Sequence, residues 1–204
     1  VPDYFTLAEL RALPDVSSTT TYPDARVEAV SAYITAVMDR EIFGPIGTTG
    51  QLVGFVPRTV TETLDGNGGG SLVLGTPYIR SLTSVTVGGT EVATSDLVAN
   101  GGVLRYTSGA TWTSGTQNVV VTYSAGYADT PPADVKDAAL WGTRARLLDT
   151  GSNAVINDRR SSITNEVGGT TSFVLAGEDR PTGYPEVDAV IIGWRNRVPS
   201  FGFA

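Results

Sequence analysis

The 204 residues contain no cysteine and no histidine. Without cysteine there is no disulfide and no thiolate. Without either residue most transition-metal sites are excluded, because zinc and copper favour Cys and His ligands. Ser-His-Asp and Cys-His nucleophilic arrangements are excluded with them. Folding without disulfides suits synthesis in a cytoplasm. Lysine is nearly missing too: Lys136 is the only one among 14 basic residues, against 21 acidic ones and a net charge of −7. A protein that draws its affinity from DNA phosphates carries the opposite balance, so sequence-specific nucleic-acid readout is not expected. An acidic surface is instead one that DNA slides past without sticking. No apolar run nears the ~20 residues of a membrane helix. Val1-Pro2-Asp3-Tyr4 lacks the basic and apolar regions of a signal peptide, so no leader is expected either. The apolar content, 41%, is ordinary for a packed core, and the length suits one domain or two small ones.

Three amphipathic helices stand out. Thr6 and Glu9 have capping-box spacing ahead of a short helix that Pro14 closes, and Asp15 to Thr21 reads as a linker. Pro23 and Asp24 then open a helix over about 24–43, with Val27, Val30, Ile34, Val37, Met38 and Ile42 on one stripe and Gly44 as its stop. Pro132 and Asp134 open a second, about 132–149, whose apolar face is Val135, Ala138, Ala139, Trp141, Ala145 and Leu148. Its early Asp134 and Asp137 and late Arg144 and Arg146 match the macrodipole. Pro185 opens a third, about 185–198, with Val187, Val190, Ile191 and Trp194 on one face. None can bury its stripe alone, so the three pack together.

Between Gly44 and about Tyr127 the texture changes to Gly, Thr, Ser and Val. Arg58 to Leu64 alternates as a strand, Asp65-Gly66-Asn67-Gly68 is a hairpin-turn signal, and Ser71 to Leu74 is the return strand. Ile79–Val87, Glu91–Leu97, Val103–Tyr106 and Asn118–Tyr123 read as further short strands. Ser162 to Val167 and Thr170 to Leu175 flank Gly168-Gly169 as a projecting hairpin. The expected class is therefore α+β: a small helical bundle with an inserted β-rich module and a projecting hairpin. Residues 1–56 form an N-terminal helical segment, 57–127 the β module, and 128–204 the C-terminal helices with the hairpin, packing with 24–43 as one helical domain.

Several motifs invite chemistry and a plainer reading outweighs each. Gly66-Asn-Gly-Gly-Gly70 lacks the following helix and the Gly-Lys-Ser/Thr of a phosphate loop. Asp65 and Asn67 open like a calcium loop, but its twelfth position is Thr76, where a bidentate Glu is needed. Glu62 with Asp65, or Glu178 with Asp179, would be carboxylate pairs for a hydrolase, although solvated carboxylates in turns or on strand faces are the ordinary case. Trp112, Tyr106 and Tyr123 would be a sugar-stacking platform, although aromatics in small β modules are usually core. Asp158-Arg159-Arg160 reads as a solvated loop with local ion pairs. The end of the third helix and the segment after it differ in kind. Arg195, Arg197, Phe201 and Phe203 set two cations beside two large aromatics with no acid among them, the residue types of interface anchors; the alternative is a tail folded on its own core.

The strand-to-helix junction Val121-Thr-Tyr-Ser-Ala-Gly-Tyr127, then Pro132-Ala-Asp-Val-Lys-Asp-Ala138, resembles that of the head-to-tail adaptor (connector) proteins of long-tailed bacteriophages. The helix ending Glu41-Ile-Phe-Gly44 resembles the family's first long helix. Leu72 to Val87, with Thr76-Pro77-Tyr78-Ile79 ahead of Ser84-Val-Thr-Val87, resembles its β insertion. Glu166-Val-Gly-Gly-Thr-Thr-Ser-Phe173, Tyr184-Pro-Glu-Val187 and Trp194-Arg195 resemble its hairpin and closing helix. The long Gly/Ser/Thr-rich insertion departs from the family pattern.

The resemblance implies a structural virion protein: a ring, usually dodecameric, between the portal and the stopper or tail proteins, which extends the DNA channel at the capsid vertex. It implies no reaction and no cofactor, and a place in the virion neck after synthesis in the host cytoplasm. The tail residues Arg195, Arg197, Phe201 and Phe203 would bind the portal. The hairpin residues Glu166, Gly168, Gly169 and Thr170 would contact a neighbouring subunit by β-augmentation. Double-stranded DNA would pass without being read. The alternative is a virion surface or carbohydrate-binding module built on the β-rich insertion.

Overall fold

The structure is a computed structural model that describes residues 4–46, 51–152, 162–164, 170–172 and 181–197. In chain order its elements are α1 Leu7–Arg11, α2 Asp24–Phe43, β1 Pro45–Ile46, β2 Gln51–Leu52, β3 Arg58–Gly66, β4 Leu72–Val73, β5 Ile79–Val87 and β6 Thr90–Val92. There follow β7 Leu97–Asn100, β8 Val103–Tyr106, β9 Gly115–Ala125, α3 Ala133–Ser152, β10 Ser162–Thr164, β11 Thr170–Ser172 and α4 Pro185–Arg195. The class is α+β, as the sequence predicts. The chain divides into two compact units: one takes the described residues of Val1–Ile42 and Pro131–Pro199, the other Phe43–Thr130.

In the helical unit, local sequence sets the element starts. The Thr6 hydroxyl accepts the Glu9 amide while the Glu9 carboxylate accepts the Thr6 amide, so the predicted capping box forms. Pro185 occupies the first turn of α4. The stripe of α2 is buried at Val27, Ile34, Val37, Met38 and Ile42. Gly142 marks where three helices meet. A Cβ there would lie 2.9 Å from Val187 Cγ2 on α4 and 3.2 Å from Ile34 Cγ2 on α2. Two threonine hydroxyls on the core faces are satisfied locally: Thr35 Oγ1 donates to the Ser31 carbonyl at 3.0 Å and Thr143 Oγ1 to that of Ala139 at 2.8 Å. The expected linker 15–21 is ordered from outside. Arg11 donates to the carbonyls of Val16 (2.6 Å) and Tyr22 (2.5 Å) and to Asp24 Oδ1 (2.6 Å), holding α1, the connector and the start of α2 together.

α3 departs from the expectation in two ways. It runs to Ser152, so Arg144 and Arg146 are mid-helix and its last turn holds no basic residue; they do not answer the dipole. Its buried positions are Val135, Ala138, Ala139, Gly142, Thr143 and Leu147, whereas Trp141 is 48% exposed and Leu148 half-buried. The helix is apolar on more than one face, and the small residues won the inner positions because α2 and α4 approach so closely at Gly142.

In the β unit a four-stranded antiparallel sheet has the order β3-β9-β5-β6, and a three-stranded one β4-β8-β7. The core is a single cluster that includes Val60, Leu72, Leu74, Val85, Leu104, Trp112, Val121 and Tyr123. Here the expected hairpin at Asp65–Gly68 fails. β3 pairs with β9, and the return segment β4 pairs with β8, matching Leu72 to Leu104. The glycine-rich stretch carries the chain from one sheet to the other. Its shape is set by Asn67, which accepts the Gly69 amide and donates to the Ser71 carbonyl, both at 2.9 Å. The expected strand Glu91–Leu97 is broken as well: β6 ends at Val92, a 3₁₀ turn covers Thr94–Asp96, and β7 begins at Leu97.

Candidate interaction surfaces

Among the described residues the structure holds no group of three or more acidic side chains placed to bind a metal ion, and no helix long and apolar enough to cross a membrane. Of the four tail residues, Arg195 and Arg197 are described. Arg195 Nη2 lies 2.5 Å from Glu41 Oε2 and its Nε donates to the Glu41 carbonyl at 3.0 Å, fixing the last turn of α4 to the end of α2. The Arg197 guanidinium stands 5.4 Å from the Trp194 ring centroid. Phe201 and Phe203 lie outside the described residues. In the hairpin, Thr170 opens β11 opposite Thr164 of β10. Glu166, Gly168 and Gly169 lie outside the described residues, as do Asp158, Arg159, Arg160, Glu178 and Asp179.

The outer faces of the helical unit carry arginine–aromatic stacks that the sequence pattern did not disclose. Arg146 of α3 lies 4.0 Å from the Tyr33 ring centroid on α2, and Arg144 lies 5.0 Å from that of Trp141. Arg144 also pairs with Asp15. Trp141, Arg144, Tyr184 and Glu186 line a cleft of about 410 Å³ between α3 and the start of α4. Two further ties cross the unit. Lys136 Nζ lies 2.5 Å from Glu9 Oε1, and the Trp194 indole N–H donates to Asp134 Oδ2 at 2.9 Å. The Lys136 ammonium, with the Thr6 amide behind it, holds the Glu9 carboxyl down at about 2.

In the β unit neither the Glu62–Asp65 pair nor the Trp112 platform forms. Glu62 and Asp65 lie on opposite faces of β3, as an odd spacing on a strand requires, so they do not form a carboxylate pair. Asp65 accepts the Gln117 amide at 2.6 Å and braces the bulge where Gln117 adopts φ +50°. Glu62 is 3% exposed, not solvated as a strand-face carboxylate usually is. It accepts the Tyr123 hydroxyl, and the Gly75 amide lies 3.0 Å from both its oxygens. This node fastens the segment after β4 to the larger sheet. Burial first, and then Glu62, drives the Tyr123 hydroxyl far above its ordinary 10. The alternation Val60, Glu62, Leu64 was the signal that Glu62 faces inward. Trp112 is 1% exposed, with Tyr106 packed 4.6 Å away, so it is core and not an open platform. A second aromatic group, Phe43, Phe55, Tyr78 and Tyr127, packs edge-to-face or tilted with centroids 4.9 to 6.4 Å apart, and Tyr127 stays 40% exposed.

No family model matches the chain, and no curated protein does. Solved structures do. The chain aligns over 98% of its length, and 98% of the other, with a chain from the neck of a native gene transfer agent (GTA) particle computed with C12 symmetry, at 16% identity and a TM-score of 0.51. It aligns with a chain from the neck of the empty GTA particle, computed with C6 symmetry, over the same shares at 14% identity and a TM-score of 0.50. The fold is thus one found in the neck of a phage-like particle. This agrees with the sequence resemblance to head-to-tail adaptors.

Proposed function

We propose that this chain is a structural subunit of the neck of a phage or phage-like particle: an adaptor that forms a ring between the portal and the stopper or tail proteins and extends the DNA channel at the capsid vertex. The observation that carries this reading is the fold shared end to end with GTA neck chains, reached independently of the motif order in the sequence. The C12 and C6 symmetries of those necks favour a ring, with twelve copies as the expected number. Net charge −7 and a single lysine suit a passage for DNA that is not read. The role is mechanical, without reaction or cofactor, and it is exercised in the neck of the virion after synthesis in the host cytoplasm. Arg195, Arg197, Phe201 and Phe203 are the proposed portal anchor, although Arg195 must then keep or exchange its pairing with Glu41. Glu166, Gly168, Gly169 and Thr170 are the proposed contact with the adjacent subunit.

Incubating the purified chain with tail-less heads that carry a portal tests this reading. The chain should sediment with the heads, and removing residues 200–204 should weaken that attachment without changing the circular dichroism spectrum. A chain that stays in the free fraction with every portal-bearing head from its own particle would contradict the proposal.

A further inference from the structure

The outer edge of a sheet carries backbone groups that still need partners, and such edges are where other chains add strands. The smaller sheet ends at β7, which meets β8 in the register Leu97↔Tyr106 to Asn100↔Val103. Gly101 and Gly102, at φ +55° and +82°, form a two-residue I′-type turn that closes on the Asn100–Val103 pair. In an antiparallel ladder the bonding direction alternates, so Ala99 turns its N–H and C=O away from β8. The Leu97 amide is taken by the Thr94 carbonyl, but the Ala99 groups have no backbone partner among the described residues. This edge is short, but it lacks the protection of charge or proline. Leu97-Val98-Ala99-Asn100 holds no charge and no proline, and Val98 is 47% exposed. On its free side lies a groove of about 440 Å³. The opposite wall is Ile79–Leu82 of β5, a stretch that β6 leaves uncovered because β6 pairs only with Val85–Val87.

The molecule also holds strands in need of an edge. β10 and β11 pair with each other and with no third strand among the described residues. A lone two-stranded ladder is marginal in water. Their sequences, Ser-Ile-Thr and Thr-Thr-Ser, are uncharged and rich in β-branched residues, as the neutral edge of β7 requires. We infer that β7 is an acceptor edge and that it takes a strand of the β10–β11 hairpin from a second copy of this chain. Donor and acceptor lie on different units of each subunit. Each copy therefore gives one strand and takes one, the heterologous contact from which closed rings are made. The inference rests on the neck-ring reading and adds the surface that receives the hairpin.

The absence of native cysteine makes the test direct. Val98→Cys is combined in turn with Ile163→Cys and Thr171→Cys, and assembled necks are oxidised mildly. The expected result is a ladder of dimers and higher oligomers on non-reducing gels with at least one of the two pairs. Rings that form without any ladder would overturn the inference and leave the ring reading standing. A disulfide within one chain would overturn the second-copy assignment. An unaltered chain that never enters necks would overturn the reading underneath. Ala99→Pro provides a separate check, because it deletes the outward N–H while sparing the β8 ladder. Incorporation into necks should fall roughly tenfold or more, with the circular dichroism unchanged. Normal incorporation of that variant would overturn the inference.

Discussion

In the helical unit, polar side chains at the surface tie distant segments together: Lys136 to Glu9, Arg144 to Asp15, Arg11 to Asp24 and three carbonyls, Arg195 to Glu41. The β unit relies on a continuous apolar cluster, with one buried carboxylate node pinning its two sheets. Exposed ion pairs contribute little each and weaken with salt, whereas a buried core responds to every lost methylene. The two units should therefore fail under different insults. The tryptophans report them separately, because Trp112 sits in the β unit and Trp141 and Trp194 in the helical unit.

The largest expected effect is in the β core. Trp112→Ala should cost about 4 kcal/mol in urea unfolding; a loss within the range of surface substitutions would place Trp112 outside the core. Next comes Glu62→Ala, which orphans the Tyr123 hydroxyl and the Gly75 amide and should cost about 3 kcal/mol, with Glu62→Gln recovering part of it. Equal losses in the two variants would show that the carboxylate node contributes nothing as such. Gly142→Leu should cost about 2 kcal/mol by overpacking the meeting of α2, α3 and α4, read from Trp194 fluorescence. A neutral result would mean that the helices can part at no cost.

The pH dependence should split the units in opposite directions. Glu9 has its folded value depressed from 4.5 to about 2, so its contribution is present above 4.5 and is lost as pH falls from there towards 2. Tyr123, by burial and Glu62, and Tyr78, by burial and Tyr127, have raised values. Their contribution is present below about 10 and is lost as pH rises beyond it. Acid should disturb the Trp141 and Trp194 signals first, and alkali that of Trp112; the reverse order would break the comparison. Smallest of all, Lys136→Met should lower the melting temperature slightly at low salt and not at high salt, since both partners are more than a third exposed. A shift that persists in high salt would assign the loss to packing.

The same contrast explains what the sequence disclosed. Helix starts were legible because capping is local: Thr6, Glu9, Asp24 and Pro185 act within a turn of where they stand. Strand positions were mostly legible from alternation, but strand partners were not. Leu72 chose Leu104 over β3 because burial decides pairing at long range, and a turn signal at Asp65–Gly68 knows nothing of residue 104. For Glu62 the alternation shows the inward face but not the partner that makes its burial possible, since Tyr123 is 61 residues away. On α3, with apolar residues on two faces, the pattern puts Trp141 and Leu148 on the inner stripe, and the packing of α2 and α4 gives that place to Leu147 instead. The exposed surfaces are the least legible, because exposure of Trp141, Tyr33 and Val98 is a property of the fold.

One image decides most. A reconstruction of the purified neck in which side-chain density identifies this chain should show a closed ring of copies between portal and tail, twelve by expectation. A neck built without this chain, or a chain found elsewhere on the particle as isolated copies, would contradict the account.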